Sequence, residues 1–483
     1  MSKHVITPAA VKPRLAREDD FHYTHYAKLF AEVYASKARF VLKASKGTTA
    51  NLDGDWLVWD DQLGHWVSDP VRVRTMAREL AEVIVERSTE LFASVKMRRE
   101  IRKVLNNPSL ILGAAAGLPE MVVTPDDLDA NPFLLKVKNG TLDLTLVDSP
   151  EGPLREDRPE DLITLCAGAN YDPDAQAPLW QKYLDRVMPD PSLQEVLQTM
   201  VGYSLSGDSS AHAFWLLEGR SRAGKGVFKN TIKALMGEYG YEGNFSEFLT
   251  NGHRKEGPRP GILEMFGKRL VFASEASQAE RLDDAIIKGI TGSDVIRVRG
   301  LYERSTTGKV ASFKVALLSN HAPIVDAADE AIWERVRRVP WTQYIPREER
   351  NVNLEDELLD ELSGILNWAL DGFRYWHRNR SLPFPEVLVA SNEQYRDEMD
   401  PLSLWLEECI GIDEDGEVLN THLLESYTDW ARRYGARPIE MREFGKRLKN
   451  HPKLDGRIQP FRKTISGKTE RGYQGITIVK EPF

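Results

Sequence analysis

Seven consecutive residues, Gly219-Arg220-Ser221-Arg222-Ala223-Gly224-Lys225, hold the chemistry the sequence declares most openly. Their spacing is G-x-x-x-x-G-K. Two glycines at this distance allow tight turns that aim successive backbone N–H groups at anionic oxygens. The lysine adds a compact positive charge suited to the β and γ phosphates of a nucleoside triphosphate. An apolar run, Phe214 to Leu217, precedes the loop and reads as a strand, and an amphipathic stretch follows it at once and reads as a helix. The N-terminus of that helix contributes its partial positive charge. Residues Gly219 through Val227 are therefore the expected phosphate cradle. One position departs from the pattern: Gly226 stands where a Ser or Thr normally offers a hydroxyl to Mg²⁺. A neighbouring residue or a water must replace that oxygen, or the chemistry is impaired.

Other residues could complete such a site. The apolar run in GKRLVFASEAS (267–277) ends at Glu275, a carboxylate placed to hold Mg²⁺ and position a water, and Ser274 stands where a second carboxylate is common. An exposed strand-end glutamate is the plainer alternative. A further strand, FKVALLS (313–319), ends in Asn320, which either senses the γ-phosphate or only forms a turn. In AIWERVRRVPW (331–341), Arg335 first and Arg337 next are candidates for an arginine finger entering a neighbouring subunit's site. Between the second and third strands lie two alternating stretches about Arg304–Gly308. They carry Arg297, Arg299, Arg304 and Lys309, either as a hairpin gripping single-stranded nucleic acid or as a solvated one.

The elements that must position these residues follow from periodicity. From 206 to 345, strands and helices alternate, which predicts an α/β layered domain with a parallel or mixed sheet. Upstream, DWLVWDDQLGHWV reads as a hairpin, residues 71–105 as helical, and NPFLLKVKNGTLDLTLV (131–147) as two strands about Asn139-Gly140. Residues 148–159 read as a surface loop and 178–205 as helical. Downstream, 354–378 is an amphipathic helix, another follows from about Glu386 to Arg396, and the last 80 residues read as helix, helix, then two strands.

Composition narrows the classes. The 483 residues carry 41% hydrophobic and 28% charged side chains, an ordinary globular balance. No apolar run reaches the length of a membrane span, and no secretory signal opens the chain. Two distant cysteines, Cys166 and Cys409, argue against a disulfide framework or a zinc site and fit a reducing cytoplasm. The net charge is −9, yet residues 431–480 hold fourteen Lys/Arg against four Asp/Glu, leaving the rest of the chain at −19. That polarity suits a basic tail module meeting phosphates, or a solvated basic surface.

Taken together, LLEGRSRAGKGVF, KRLVFASEA, IKGITGSDVIRVRGLY, LLSNHAPIVD and AIWERVRRVPW resemble superfamily 3 helicases, and more closely the helicase part of phage, plasmid and poxvirus-type primase-helicases. NPFLLKVKNGTLDL, RPEDLIT, YDPDAQAP and VGYSLSGD resemble the domain that precedes that helicase, so the likeness covers roughly residues 50–480. The resemblance implies an AAA+ type P-loop ATPase core with a mainly helical N-terminal domain and a winged-helix-like C-terminal domain. The expected divisions are an extension over 1–45, the N-terminal domain over 46–205, the motor over 206–345, a helical lid over 346–400, and the basic module over 401–483. It also implies ATP and Mg²⁺ as cofactors, a hexameric homo-oligomer, and 3′→5′ movement on single-stranded or forked DNA. Lys225, Glu275, Asn320 and Arg335 take the family's lysine, acidic, sensor and finger roles, and Arg299 falls at the basic hairpin. The basic module would hold duplex or origin DNA. Some 45 residues before the resembling region leave no room for a primase domain, so primer synthesis is expected from a separate primase or polymerase, in the host cytoplasm of a phage or mobile element. A DNA translocase that never separates strands and a nucleotide-switched replication initiator are the alternatives.

Overall fold

The computed structural model describes residues 23–43, 54–91, 94–250, 259–274, 280–292, 294–298, 307–325, 329–434, 439–454, 456–465 and 468–479. Helix α1 (Tyr23–Tyr34) leads into β1 (Ala38–Leu42). The expected hairpin forms from β2 (Gly54–Asp60) and β3 (His65–Ser68), with Trp59 opposite Trp66. The Asp60 carboxylate closes its turn by accepting from the amides of Gln62 at 2.8 Å and Leu63 at 3.0 Å. The helix expected over 71–105 is two helices, α2 (Pro70–Leu91) and α3 (Val95–Leu105). They are followed by α4 (Pro108–Ala115) and a short β4 (Val122–Val123) parallel to β1. Tyr26, Phe30, Leu80, Ile84 and Ile111 pack together as the core of this part.

Strands β5 (Leu134–Val137) and β6 (Gly140–Asp143) form the expected hairpin, but its two-residue turn is Lys138-Asn139, one step earlier than Asn139-Gly140, because Gly140 at φ +150° already pairs with Val137 in β6. The stretch expected as loop contains β7 (Leu154–Arg155), paired to β6. The helix expected over 178–205 is also two, α5 (Pro178–Val187) and α6 (Pro191–Ser204). Pro191 lacks the N–H that continuation of α5 would need, and the Asp190 carboxylate caps the new start, accepting from Ser192 N at 2.9 Å.

The stretch from 214 to 341 is built on a parallel sheet. It runs through β8 (Phe214–Gly219), α7 (Lys225–Met236), β9 (Gly240–Asn244), α8 (Pro260–Met265), β10 (Leu270–Ser274) and α9 (Asp284–Thr291). Then come a two-stranded antiparallel hairpin, β11 (Val295–Val298) with β12 (Thr307–Val310), followed by β13 (Lys314–Ser319), α10 (Glu330–Trp333) and β14 (Val336–Trp341). Five of the strands pair in parallel in the order β14-β8-β13-β10-β9. Both faces are covered, which is why β8, β10 and β13 read as continuous apolar runs. Trp215, Leu217, Phe272 and Leu318 face one core, where α5, α6 and α7 pack. Their alternate neighbours Phe214, Leu216, Val271 and Leu317 face another, shared with α8, α9 and α10. The expected mixed α/β layering with a parallel sheet is present.

Helices α11 (Leu354–Leu359), α12 (Leu362–Asn379) and α13 (Glu386–Glu398) follow. Gly202 of α6 and Gly372 of α12 let those two helices approach until backbone meets backbone: a Cβ on Gly372 would run into the Gln198 carbonyl. The remaining elements are α14 (Pro401–Cys409), β15 (Ile410–Leu419), α15 (Asn420–Tyr434), α16 (Met441–Lys449), β16 (Gln459–Ile465) and β17 (Lys468–Ile478). The three strands pair antiparallel in the order β15-β17-β16. Strand β15, IGIDEDGEVL, is not legible as a strand in the sequence because its acidic middle interrupts the alternation; it forms by pairing with β17 across a bulge between Asp413 and Glu417. Among the described residues, no helix is long and apolar enough to cross a membrane, and both cysteines are unpaired.

Candidate functional site

The glycine-rich loop lies at the C-terminal edge of the parallel sheet, between the end of β8 and the start of α7. Its local shape follows from its residues. Gly219 passes so close to β14 that a Cβ would collide with the Trp341 carbonyl oxygen. Arg222 at φ +68° and Gly224 at φ +94° adopt the left-handed turns that reverse the chain, and Gly224 is the N-cap of α7. The Tyr183 hydroxyl of α5 anchors the turn, donating to Gly224 O at 2.9 Å.

Lys225 opens α7 and is buried. Its ammonium donates to the carbonyls of Gly219, of Arg220 at 3.4 Å and of Ser319 at 3.1 Å, and to Asn320 Oδ1 at 3.2 Å. The structure thus brings together a loop lysine and a strand-end asparagine that lie 95 residues apart. Burial pulls the Lys225 ammonium down to about 8, a shift that the nearby Glu218 carboxylate opposes. Gly226 faces open space, with nothing within 4 Å of where a Cβ would stand.

The other expected residues fall elsewhere. Glu275 lies outside the described residues, as do Arg299 and Arg304; β10 is described to Ser274, whose Oγ is buried without a hydrogen-bond partner. Arg297 falls on β11 opposite Gly308, and its side chain is outside the description. Lys309 on β12 lies 3.6 Å from Asp126. Arg335 and Arg337 do not meet the loop of their own chain. Arg337 pairs with Trp215 while Trp341 pairs with Gly219, four strand steps on, a separation of about 13 Å. The Arg335 guanidinium donates to Ala331 O, and that of Arg337 donates to Glu334 O at 2.7 Å while stacking over Phe384 at 4.6 Å. In both, Nε is buried and unpartnered. Arg338, the next residue on β14, differs: two carboxylates hold it, Glu218 at 2.5 Å and Glu398 at 3.3 Å.

One feature beside the loop has no local signature in the sequence. A cleft of 490 Å³ runs from Arg222 and Gly224 between α5 and residues 345–354, with Tyr183, Val187, Val227, Ile345 and Leu354 on its walls. Its size and apolar lining suit an aromatic heterocycle. Its walls come from segments more than 150 residues apart, so no spacing could announce it. A larger groove of 820 Å³ between α2 and α3 contains none of the loop residues.

The fold and this site define a mixed α/β protein on a parallel sheet, with a glycine-rich strand–loop–helix turn at the sheet's C-terminal edge. A family model described as D5 N terminal like matches residues 27–189. A protein of Acanthamoeba polyphaga mimivirus named as a helicase is 25% identical over 354 residues, which are 68% of this chain and 36% of that protein. A fowlpox virus protein named primase D5 is 20% identical over 338 residues, 67% of this chain and 40% of that one. The chain therefore spans well under half the length of these curated relatives. Among solved structures, an apo form of the C-terminal region of NrS-1 aligns with a TM-score of 0.45 and 11% identity, over 95% of this chain and 100% of that one. The chain is related to viral proteins of the poxvirus D5 type, which carry helicase and primase names.

Proposed function

We propose that the chain is the motor of an ATP-dependent DNA helicase of AAA+ type. In this reading it assembles as a hexameric ring and moves 3′→5′ on single-stranded DNA in the replication of a virus, phage or mobile element. The observation that carries the reading is the meeting of the Lys225 ammonium with Asn320 at the end of the adjacent strand, over a left-handed Gly224. A lysine held only by carbonyl and amide oxygens is poised to exchange them for phosphate oxygens. The helicase names of the viral relatives point the same way.

Residues Gly219 to Val227 then cradle the triphosphate, and the cleft between α5 and residues 345–354 takes the base. Lys225 neutralises the outer phosphates, while Glu275 and Asn320 orient the attacking water. Mg²⁺, when bound, neutralises phosphate charge. Glu275 would hold it, the unpartnered Ser274 hydroxyl is the oxygen that the described residues offer near that strand end, and Gly226 offers none. Arg335, with Arg337 beside it, serves the neighbouring subunit, since about 13 Å of strand keeps this edge from its own loop. The hairpin with Arg297, Arg299, Arg304 and Lys309 grips one DNA strand through its phosphates. The C-terminal helices and three-stranded sheet, in the order helix, strand, helix, helix, strand, strand, are read as winged-helix-like.

The test is strand displacement on forked DNA with a 3′ or a 5′ tail, comparing the native chain with Lys225→Ala. Unwinding by the native protein alone, dependent on the 3′ tail, is the expected result. Unwinding by neither, with nucleotide still bound and the fork still held, would replace the helicase with the nucleotide-switched initiator, the reading that the missing hydroxyl at Gly226 favours.

A further inference from the structure

The two strands of the β16–β17 hairpin carry adjacent rungs of opposite electrostatic character. Lys463 faces Glu470 across the ladder, and its ammonium also lies 3.2 Å from Glu417 of β15, so this rung is neutralised within the protein. The next rung is Arg462 directly opposite Arg471. Like charges paired this way repel and weaken the hairpin. Both arginines are exposed, and neither has an ionic or hydrogen-bond partner among the described residues. A destabilising arrangement with no internal counterion implies an anion from outside.

Alternation along the strands fixes which side this rung occupies. Arg471 shares a face with Tyr473, two residues on, and Tyr473 is buried in the core with Phe444 and Leu448 of α16. The arginine rung therefore lies on the helix-bearing side of the sheet, one step past the end of the apolar core, while Lys463 and Glu470 lie on the other side. On α16, Phe444 and Leu448 turn inward, and Arg442, Lys446 and Lys449 fall at i, i+4 and i+7 on the outer face. All three are exposed; Lys446 shares the Glu443 carboxylate with Arg447, which lies 2.9 Å from it, whereas Arg442 and Lys449 have no partner among the described residues. The helix-bearing side of the module thus carries four cations, from two elements, with no partner among the described residues.

We propose that this side is a docking surface for duplex DNA, with Arg462 and Arg471 clamping backbone phosphate and α16 lying along the groove. This rests on reading the chain as a DNA-acting protein and specifies where the duplex is held. A helix with its side chains is roughly 10–12 Å across, which matches the roughly 12 Å width of the major groove, and the nine residues of α16 run about 13 Å along it. Trp405, Tyr427, Phe444 and Tyr473 are buried, so among the described residues this side offers phosphate contacts and no aromatic platform for unstacked bases.

The experiment is fluorescence anisotropy of the full chain, without nucleotide, on a duplex of roughly 24 base pairs and on one of its single strands, across a salt series. Four phosphate contacts predict a slope of log affinity against log salt of about −3.6 on the duplex. The double variant Arg462→Gln/Arg471→Gln should make that slope shallower by about 1.8. It should also weaken duplex binding by roughly 10- to 60-fold near 0.1 M salt, where each contact contributes up to ~8-fold. Lys463→Gln, the same charge change on the opposite face, should alter affinity less than about twofold. An unchanged slope in the double variant, an equal loss in Lys463→Gln, or a loss confined to the single strand would each overturn the proposal. A thermal melt separates these outcomes from misfolding, because removing the repelling rung should leave stability equal or higher. Since nucleotide is absent, a chain with no unwinding activity can still pass, and an active helicase can still fail.

Discussion

Lys225 makes the proposed nucleotide site pH-dependent in a calculable way. Burial holds its ammonium at about 8, well under the ordinary lysine value of 10.5. Below about 8 it is charged before nucleotide arrives, and binding needs no proton. Above about 8 it is neutral in the free protein, and the anionic phosphates must draw a proton from solvent to restore the charge. If bound phosphate returns the group to its ordinary range, affinity for ATP falls about tenfold between pH ~7 and pH ~9. A fluorescent ATP analogue titrated across that range measures the fall, and calorimetry in two buffers of different ionisation enthalpy measures the uptake, approaching about one proton at pH ~9. Lys225→Arg stays charged throughout and should bind with an affinity independent of pH, whatever its absolute value. Free-protein stability has the opposite sign. A cation whose folded value is depressed binds its proton more tightly when unfolded, so this group's penalty is full below about 8 and relieved as pH rises from there toward 10.5. A pH-independent affinity in the native protein with no proton uptake would refute the claim that this buried lysine meets the phosphates.

Gly226→Ser adds a hydroxyl into open space on the first turn of α7. It should stabilise the helix by about 0.3–0.5 kcal/mol in a thermal melt and lower the Mg²⁺ needed for half-maximal turnover by roughly tenfold; an unchanged Mg²⁺ requirement would show that another residue supplies that oxygen. Arg335→Ala should reduce turnover by ~10³ or more while leaving nucleotide affinity intact. Mixed with Lys225→Ala subunits it should regain activity, because interfaces then form with an intact loop on one side and an intact finger on the other, and no recovery on mixing would argue against action in trans. Gly372→Ala forces a methyl against the α6 backbone and should cost about 1–3 kcal/mol, seen as a lower Tm without loss of the folded spectrum at room temperature.

Features made by neighbours along the chain are legible in the amino-acid sequence itself. The strand–loop–helix around Gly219–Lys225, the two hairpin turns read near residues 60–62 and 139–140, each within two residues of its place, and the apolar runs of β8, β10 and β13 depend on residues a few positions apart. The required backbone angles and the burial pattern are written locally. Breaks inside helical patterns are harder to read. The apolar spacing over 71–105 and 178–205 continues across the interruptions at Ser94 and at Met188–Asp190, because successive helices that pack on one core share a periodicity whether or not the chain bends between them. Strand β15 is hidden for a related reason: DED in its middle looks like a loop, and only the return of β17, whose paired residues lie from 53 (419 to 472) to 68 (410 to 478) positions on, supplies its hydrogen-bond partners.

The chemistry-bearing residue types, their order and the alternation of strands and helices were determined by sequence alone, since they rest on local dihedral preference and periodicity. Tertiary structure decided which of them meet. Asn320 reaches Lys225 because β13 lies beside β8 in the sheet, and the base-sized cleft exists because α5 and the 345–354 segment close on the same loop. Arg338 is tied by carboxylates from positions 218 and 398, whereas Arg335 and Arg337 donate to nearby backbone carbonyls. Each of these is a long-range contact selected by burial of the whole sheet, a quantity that no short window of sequence contains.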